Sequence, residues 1–425
     1  MKELLDFFVE VGKLKRRERK GIAFYGVKNP ETTAEHTFRM AIVGWFLGRT
    51  ENLNIGKILK IILIHDMCEV YAGDITPYDG FLPKNKKERF KFVRRWLSRC
   101  LIKEKEKIYK QKFEKEKKSL QKLIKDLSPK EKKEIFDYWL DYEKGLTKEG
   151  KFVYQINVAE NLMEAFNCWQ RDKNFPTMPW WEHADQVIDN PVILKFLKEI
   201  EIEELKIKNI KRNFLMYNLL GFFNEIGKLK KMPRRGWVIN DIKNPESIAS
   251  HIFRASVMAW MLGSKQKLNI ERILKTALIH DLCEVYAGDI TPYDSLLPKD
   301  ARKRKELMKT WPRLSDKNKK QLREKKYKKE KIALEKLTKN LPKDLSNEIM
   351  HLWLDYEKGL TKEGRFFKQA DRLENFLQAM EYREKYKKPP QGPWWAWAKE
   401  FFDEPLSLEF VEELAQKFHH NNSKT

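Results

Sequence analysis

The chain has 425 residues, of which 41% are hydrophobic and 12% aromatic, so it is long enough for two or three domains with buried cores. Glycine (18 residues) and proline (17) are scarce, which favours helices over sandwiches and barrels, and four cysteines are too few for a disulfide scaffold. The net charge of +24 indicates either binding of nucleic acid or phosphorylated ligands, or lysine-rich solvated helices. Because lysine alternates with glutamate in KEKEKIYKQKFEKEKK, we favour solvated helices.

The apolar runs and the cysteines bear on the cellular environment. The amino-terminal sequence MKELLDFFVEVGKLKRRERK lacks the apolar region and cleavage site of a signal peptide. No run reaches the roughly 18 apolar residues of a membrane span. Cys68 and Cys283 fall in apolar helical stretches, which is typical of buried thiols. We therefore expect a cytoplasmic protein that does not enter a membrane.

The chain repeats itself over most of its length. FFVEVGKLK at Phe7–Lys15 aligns with FFNEIGKLK at Phe222–Lys230, and KNPETTAEHTFR at Lys28–Arg39 aligns with KNPESIASHIFR at Lys243–Arg254. A repeat of roughly 210 residues is a whole domain rather than a solenoid unit. The sequence therefore predicts two domains, residues 1–207 and residues 208–425.

Each copy has helical periodicity and no strand pattern. Phe7, Phe8, Val11 and Leu14 recur at helical spacing, and NPE before TTAEH indicates a helix start. ILKIILIHDMCEVYA in copy one and ILKTALIHDLCEVYA in copy two each predict one apolar helix that ends at a glycine, followed by the loop DITPYD. Lysine-rich segments, a WLDYE helix and one further helix follow. We predict an all-α fold of two tandem helical bundles.

Copy two contains imidazole and carboxylate groups in a pattern that is typical of a metal site. His280 and Asp281 are adjacent, Glu284 follows one helical turn after His280, and His251 and Asp371 come from an earlier and a later helix. Such groups suit Mn, Fe, Co, Zn or Mg. A buried structural His–Asp pair is the alternative. Because four of the eight histidines occupy two repeat-equivalent positions, we favour the metal site.

These motifs resemble the HD-domain metal-dependent phosphohydrolases. PES..SH..R, ALIHDLCEVYAGDITP, LW.DYE and the late aspartate resemble the subgroup of 5′-deoxynucleotidases, the HD-domain-containing protein 2 type. The resemblance covers most of both copies, outside the lysine-rich insertions and the tryptophan-rich tails. It implies an all-helical, divalent-metal-dependent enzyme that removes phosphate from deoxynucleoside 5′-monophosphates, with Mn, Co or Mg favoured over Fe or Zn.

The resemblance also implies roles for individual residues of copy two. The implied metal ligands are His251, His280, Asp281 and Asp371. Glu284 would position or deprotonate the attacking water, and Asp289 would border the nucleotide and bind a second metal. The implied substrate-binding residues are Arg235, Trp237, Ile290, Thr291 and Pro292. Gly236 separates Arg235 from Trp237, which departs from the adjacent Arg-Trp pair of the family.

Copy one has lost part of this pattern. It keeps the residues His36, His65, Asp66, Glu69 and Asp74. At the position of Asp371 it has Asn157, which brings no negative charge, and it has Lys20 and Ile22 at the positions of Arg235 and Trp237. We therefore predict that copy two is active and copy one degenerate, although copy two has Ser250 where copy one has the more family-like Glu35.

The duplication and the charge leave three hypotheses about function. Family members resemble homodimers, so the fused copies predict an intramolecular pseudo-dimer acting on a small nucleotide. A second hypothesis is hydrolysis of another nucleotide or phosphoester by the same fold. The third is a non-catalytic nucleic-acid-binding or scaffold protein, which KNKKERFK at Lys84–Lys91 and RKRKELMK at Arg302–Lys309 would support.

Overall fold

The computed structural model describes residues 1–76, 83, 85, 88, 102–291, 294, 298, 300–310, 315–387 and 394–419. The α-helices, in chain order, are α1 (Lys2–Val11), α2 (Lys20–Ala23), α3 (Thr33–Gly48), α4 (Ile55–Ile64), α5 (Glu69–Ala72), α6 (Ile102–Leu123), α7 (Pro129–Lys144), α8 (Lys148–Arg171), α9 (Met178–Val187), α10 (Pro191–Leu205), α11 (Phe214–Gly227), α12 (Arg235–Ile239), α13 (Ile248–Lys265), α14 (Ile270–Ile279), α15 (Glu284–Ala287), α16 (Ala301–Thr310), α17 (Asp316–Thr338), α18 (Lys343–Lys358), α19 (Lys362–Tyr386), α20 (Trp394–Phe401) and α21 (Pro405–His419).

The remaining regular structure is minor and also helical. The described residues form three 3₁₀ segments, Gly12–Arg16, Arg49–Glu51 and Lys228–Lys231. The described part of the chain contains no β-strand, only the single bridges Glu18–Thr32 and Pro233–Ser247. The predicted all-α fold is therefore confirmed, and no described helix is long and apolar enough to cross a membrane.

The chain forms two compact units, which we call the amino-terminal unit and the carboxy-terminal unit. The amino-terminal unit contains residues 6–224, and the carboxy-terminal unit contains residues 225–425 together with residues 1–5. The division therefore falls within α1 and α11. Apart from residues 1–5 and 208–224, which group with the other unit, each unit contains the residues of one predicted copy.

Each unit is built around one long helix that is buried along its length. In the carboxy-terminal unit this helix is α13, which packs against α14 and α19 and buries every residue from Ile248 to Gly263. In the amino-terminal unit it is α3, which packs against α4 and α8 and is buried from Thr33 to Gly48. Because both central helices are buried on all sides, their polar residues face other side chains rather than water, and each needs a partner there.

The helix predicted over IHDLCEVYA is interrupted, which corrects the sequence prediction. Helix α14 ends at Ile279, and α15 begins only at Glu284. Between them the N–H groups of Leu282 and Glu284 donate to carbonyls three residues earlier, at 3.1 Å each. The ring Nδ1 of His280 lies 2.7 Å from the carbonyl of Ala277, which a continuing α-helix would offer to a backbone N–H. The amino-terminal unit has the same interruption between α4 and α5.

The start of the central helix also differs from the prediction by a few residues. Helix α3 begins at Thr33 rather than within NPE, because Thr32 caps it. The Thr32 hydroxyl accepts from the N–H of Glu35 at 3.3 Å, and the Glu35 carboxylate accepts from the N–H of Thr32 at 2.7 Å. In α13 the cap is Ser247, which accepts from the N–H of Ser250 at 3.1 Å. Ser250 thus lies in the cap and is buried.

Candidate metal centre

Three separate elements of the carboxy-terminal unit bring the predicted metal ligands together. His251 comes from α13, His280 and Asp281 from the interruption after α14, and Asp371 from α19. Nε2 of His251 lies 3.0 Å from Oδ1 of Asp371, and Nε2 of His280 lies 3.2 Å from Oδ2 of Asp281. One ligand atom each from His251, His280 and Asp281 lies within 4.8 Å of the others. The four groups form one cluster.

The histidine hydrogen bonds leave a ligand atom of each ring directed into this cluster. A backbone carbonyl can only accept, so Nδ1 of His280 donates its hydrogen to Ala277 and Nε2 is the ring nitrogen directed at the cluster. Nδ1 of His251 hydrogen-bonds the carboxylate of Glu374 in the same way. Both Nε2 atoms are buried and face a carboxylate oxygen of the cluster, that of Asp371 for His251 and that of Asp281 for His280. Two imidazole nitrogens and two carboxylates that converge in this way fit a divalent cation.

Further polar contacts fix the orientation of these ligands. Glu374 accepts a hydrogen bond from Nε of Arg254 at 2.8 Å while it contacts His251. Asp371 accepts from the Tyr356 hydroxyl at 2.9 Å. Because these partners are themselves buried or partly buried, the ligand side chains are held in place before an ion binds.

The two acidic ligands are held in the charged form. Burial alone would raise the pKa of Asp281, but His280 and Arg234 outweigh it and hold that pKa well below its ordinary range. Burial likewise opposes ionisation of Asp371, but His251 and His280 lower its pKa to about 2. One partly buried and one buried carboxylate with depressed pKa values offer the negative charge that a divalent cation requires.

Glu284 lies beside the cluster and differs from its ligands. Burial raises the pKa of Glu284 well above its ordinary value, and the charges of Asp281 and Asp289 raise it further. The positive charges of Arg234 and Lys326 oppose this shift. Oε2 of Glu284 is buried and makes no hydrogen bond within the described part of the chain. A buried carboxyl group with a raised pKa is suited to accept a proton.

The predicted substrate-binding residues Arg235 and Trp237 lie in different environments. Arg235 is half-exposed and pairs with Asp294 at 3.0 Å, and its backbone N–H donates to the Asp289 carboxylate at 2.6 Å. Trp237 is only 4% exposed, and its indole N–H donates to Glu246 at 2.9 Å. The Trp237 indole is therefore occupied inside the unit.

The loop after α15 carries the other predicted substrate-binding residues. Ile290 and Thr291 follow Asp289 directly, and the N–H of Thr291 donates to the Asp294 carboxylate at 2.8 Å. Pro292 lies outside the described residues. Most of the lysine-rich segment 84–91 also lies outside them, whereas residues 302–309 belong to α16.

Arg234, which no sequence motif singled out, lies next to the cluster. Its guanidinium donates to Oδ2 of Asp281 at 2.9 Å and to Oδ1 of Asn375 at 2.7 Å. Asn375 in turn donates to Asp371 at 3.2 Å. Arg234 thus connects the ligands from the interruption after α14 with those from α19.

A repeat signal for the missed residues was present in the sequence. Arg19 precedes Lys20 as Arg234 precedes Arg235. The two residues that orient His251 also have counterparts in copy one, since Arg39 and Glu160 correspond to Arg254 and Glu374. Identity between the copies therefore extends to the residues around the ligands as well as to the ligands themselves.

The amino-terminal unit assembles most of the same cluster. His36 comes from α3, and His65 and Asp66 follow α4; one ligand atom of each lies within 4.8 Å of the others. Nε2 of His36 and Nε2 of His65 are buried and make no hydrogen bond to a described residue. Arg19 donates to Asp66 at 2.6 Å, as Arg234 does to Asp281. The geometry of the cluster is therefore preserved.

The charge of the amino-terminal cluster is not preserved, because Asn157 occupies the place of Asp371. Burial and the nearby Arg19 lower the pKa of His36 to about 4. At the equivalent His251, burial and Arg234 also lower the pKa, but Glu374 and Asp371 raise it to about 9. Since Glu160 contacts His36 as Glu374 contacts His251, the missing carboxylate of Asp371 is the main difference between the two environments.

Comparisons with known proteins agree with this geometry. The family model described as the HD domain matches residues 11–178 and residues 226–394. A protein of Xenopus laevis named 5′-deoxynucleotidase HDDC2 is 38% identical over 172 residues, which is 40% of this chain and 73% of that protein. The human protein of the same name is 36% identical over 172 residues, 40% of this chain and 72% of its own length.

A more distant relative gives a similar result over a longer segment. A protein of Schizosaccharomyces pombe named 5′-deoxynucleotidase hdd1 is 30% identical over 204 residues, which is 47% of this chain and 90% of that protein. Each of these relatives matches about half of the chain, while the family model matches both halves. The chain therefore belongs to the HD domain family and contains two tandem copies of the domain.

Proposed function

We propose that the carboxy-terminal unit is a divalent-metal-dependent phosphohydrolase, specifically a 5′-deoxynucleotidase that releases phosphate from deoxynucleoside 5′-monophosphates. The observation that carries this proposal is the cluster of His251, His280, Asp281 and Asp371 beside the buried carboxyl of Glu284. The names of the relatives from frog, human and fission yeast support the substrate class.

In the proposed reaction, the residues at the cluster have separate roles. His251, His280, Asp281 and Asp371 would hold the ion. When bound, a divalent ion lowers the pKa of water and polarises a phosphoryl oxygen. The ligand set is compatible with Mn, Co or Mg, which we favour, and with Fe or Zn.

Glu284 has the properties of the proton acceptor. In the proposed step its carboxylate takes a proton from the attacking water, a new bond forms from the water oxygen to phosphorus, and the bond from phosphorus to the 5′-oxygen breaks. The departing 5′-oxygen takes up a proton from solvent and Glu284 releases its proton to solvent, which leaves a deoxynucleoside and inorganic phosphate. The positive charge of Arg234 lies on the side of Asp281 and Asp289, where it balances their charge.

The amino-terminal unit has a different proposed role. We propose that it is degenerate in catalysis and that the two copies take the place of two protomers in an intramolecular pseudo-dimer. The two matched family segments support this proposal. Light scattering that gives the mass of a single chain would agree with it, whereas the mass of two chains would contradict it.

The buried free thiols Cys68, Cys168 and Cys283 suit the cytoplasmic location that we propose.

The direct test is phosphate release from deoxynucleoside 5′-monophosphates with Mn²⁺, Co²⁺ or Mg²⁺. We expect His280→Ala/Asp281→Ala to abolish release, because it removes two ligands of the carboxy-terminal cluster. The matched variant His65→Ala/Asp66→Ala changes the equivalent residues of the amino-terminal unit, and we expect it to retain release. Loss of activity in the second variant alone would reverse the assignment.

A substrate panel separates this activity from related ones. We expect deoxynucleoside monophosphates to be hydrolysed faster than ribonucleotides, nucleoside triphosphates and cyclic dinucleotides. Release from another phosphoester but from no deoxynucleoside monophosphate would keep the metal-dependent phosphohydrolase and reject the 5′-deoxynucleotidase.

A further inference from the structure

The two glutamates that occupy the same position in the two units differ in one hydrogen bond. In the amino-terminal unit Oε2 of Glu69 accepts from the hydroxyl of Thr33 at 2.6 Å, and both side chains are buried. In the carboxy-terminal unit Oε2 of Glu284 is equally buried and has no hydrogen bond to a described residue. The position of Thr33 is taken there by Ile248, which is fully buried and carries no donor.

The Thr33 hydroxyl is directed at the carboxylate rather than at the backbone. Its oxygen also lies 3.4 Å from the carbonyl of Arg17, but the contact with Glu69 is much shorter. A hydroxyl has a single hydrogen, so the shorter contact is the one that it donates to. A buried carboxylate that accepts such a bond is stabilised as an anion and is held against α3.

We propose that the residue at this position on the central helix determines whether the glutamate is available as a proton acceptor. Ile248 then offers Glu284 no hydrogen-bond donor, whereas the Thr33 hydroxyl restrains Glu69. The inference rests on the proposed function, since it concerns the role given there to Glu284. It also means that the amino-terminal unit differs from an active one in two separable respects, Asn157 at the ion and Thr33 at the proton acceptor.

The test introduces the amino-terminal contact into the carboxy-terminal unit. Ile248→Thr supplies the hydroxyl, and Ile248→Val is its matched control, because valine and threonine have nearly the same shape and differ in the donor. The readouts are kcat and KM for a deoxynucleoside 5′-monophosphate, with Mn²⁺ affinity measured by calorimetry. All measurements use the full chain.

We expect kcat of Ile248→Thr to fall by a factor of about 10 or more, since positioned proton transfer contributes about 10² to 10⁴ in rate. Its KM and Mn²⁺ affinity should stay within about twofold of wild type, because the ion ligands are unchanged. Ile248→Val should keep kcat within about threefold of wild type. That pattern would assign the loss to the hydroxyl.

Two results would overturn the inference. Wild-type kcat in Ile248→Thr would show that the donor does not restrain Glu284. An equal loss in Ile248→Val would assign the effect to lost volume in the core. An inactive wild-type chain is a different outcome, because it would reject the proposed function itself and the inference with it.

Discussion

Burial distinguishes two neighbouring arginines at the scale of single residues. The side chain of Arg234 is 14% exposed and bonded to Asp281 and Asn375, whereas that of Arg235 is 47% exposed and paired with Asp294. Removing one partner of a buried charge pair leaves the other charge desolvated, while an exposed pair contributes little. The two arginines therefore make unequal contributions to the unit.

We predict that Arg234→Met lowers the free energy of unfolding by about 3 kcal/mol in metal-free protein, because several buried carboxylates lose their cation. Arg235→Met should change it by less than about 1 kcal/mol. Urea unfolding in the presence of a chelator, followed by tryptophan fluorescence, measures both. Equal destabilisation by the two variants would contradict the structural distinction.

Asp371 and its counterpart Asn157 form hydrogen bonds of opposite direction with equivalent tyrosines. The Tyr356 hydroxyl donates to Asp371 at 2.9 Å, whereas the Tyr142 hydroxyl accepts from the amide of Asn157 at 2.5 Å. The tyrosine can serve either partner because a hydroxyl both donates and accepts. The Asn157 amide thus has a hydrogen-bond partner in the amino-terminal unit.

At the scale of elements, the start of α19, the helix that carries Asp371, lies very close to the end of the preceding helix α18. The Asp355 carboxylate near the end of α18 accepts from the N–H and hydroxyl of Thr361 at 2.8 and 2.6 Å. Gly364, in the first turn of α19, lies so close that a Cβ there would be 2.3 Å from Oδ1 of Asp355. Gly150 and Asp141 repeat this approach at 2.1 Å in the amino-terminal unit.

We predict that Gly364→Ala destabilises the carboxy-terminal unit by about 1–3 kcal/mol, because the methyl group would displace Asp355 and with it the start of α19. Gly221→Ala is the control: nothing lies within 4 Å of its Cβ position on α11, so helix propensity should stabilise the chain by up to about 1 kcal/mol. Thermal unfolding midpoints provide the measurement. A rise in the midpoint for Gly364→Ala would show that Asp355 can move without cost.

The interrupted helix illustrates what periodicity alone cannot predict. The letters ALIHDLCEVYA fit one helix, and the spacing of apolar residues continues through them. The structure ends α14 at Ile279, since the His280 ring takes the Ala277 carbonyl. The spacing of apolar residues does not report whether a side chain competes with the backbone for a carbonyl.

At the scale of the whole molecule, the two copies predict a specific metal stoichiometry. Each unit has two histidines and an aspartate around one centre, but the carboxy-terminal unit adds the carboxylate of Asp371 where the amino-terminal unit has the amide of Asn157. Loss of an anionic ligand weakens divalent binding. One tightly bound ion per chain is therefore expected.

We predict that equilibrium dialysis with Mn²⁺ gives one tight site per chain, none in Asp371→Asn and two in Asn157→Asp. The aspartate introduced at position 157 would meet the same tyrosine and asparagine partners as Asp371, namely Tyr142 and Asn161. Two tight sites in the wild-type chain would show that Asn157 serves as a ligand. One site in Asn157→Asp would show that charge is not what the amino-terminal cluster lacks.

The sequence by itself determined the duplication, the all-helical fold and the histidine and aspartate residues that form the two clusters. These features are local or recur at a fixed offset, so one chain read against itself reveals them. The contrast between Asp371 and Asn157 was also visible without a structure, because the copies act as each other's control.

Only the tertiary structure decided which other side chains meet these clusters. His251 and Glu374 are 123 residues apart in the chain, Arg234 and Asp281 are 47 apart, and Thr33 and Glu69 are 36 apart. No periodicity relates such positions, and the choice of Arg234 over its neighbour depends on which of two adjacent side chains faces the interior. Packing determines that choice, since a buried charge is stable only where its partners converge.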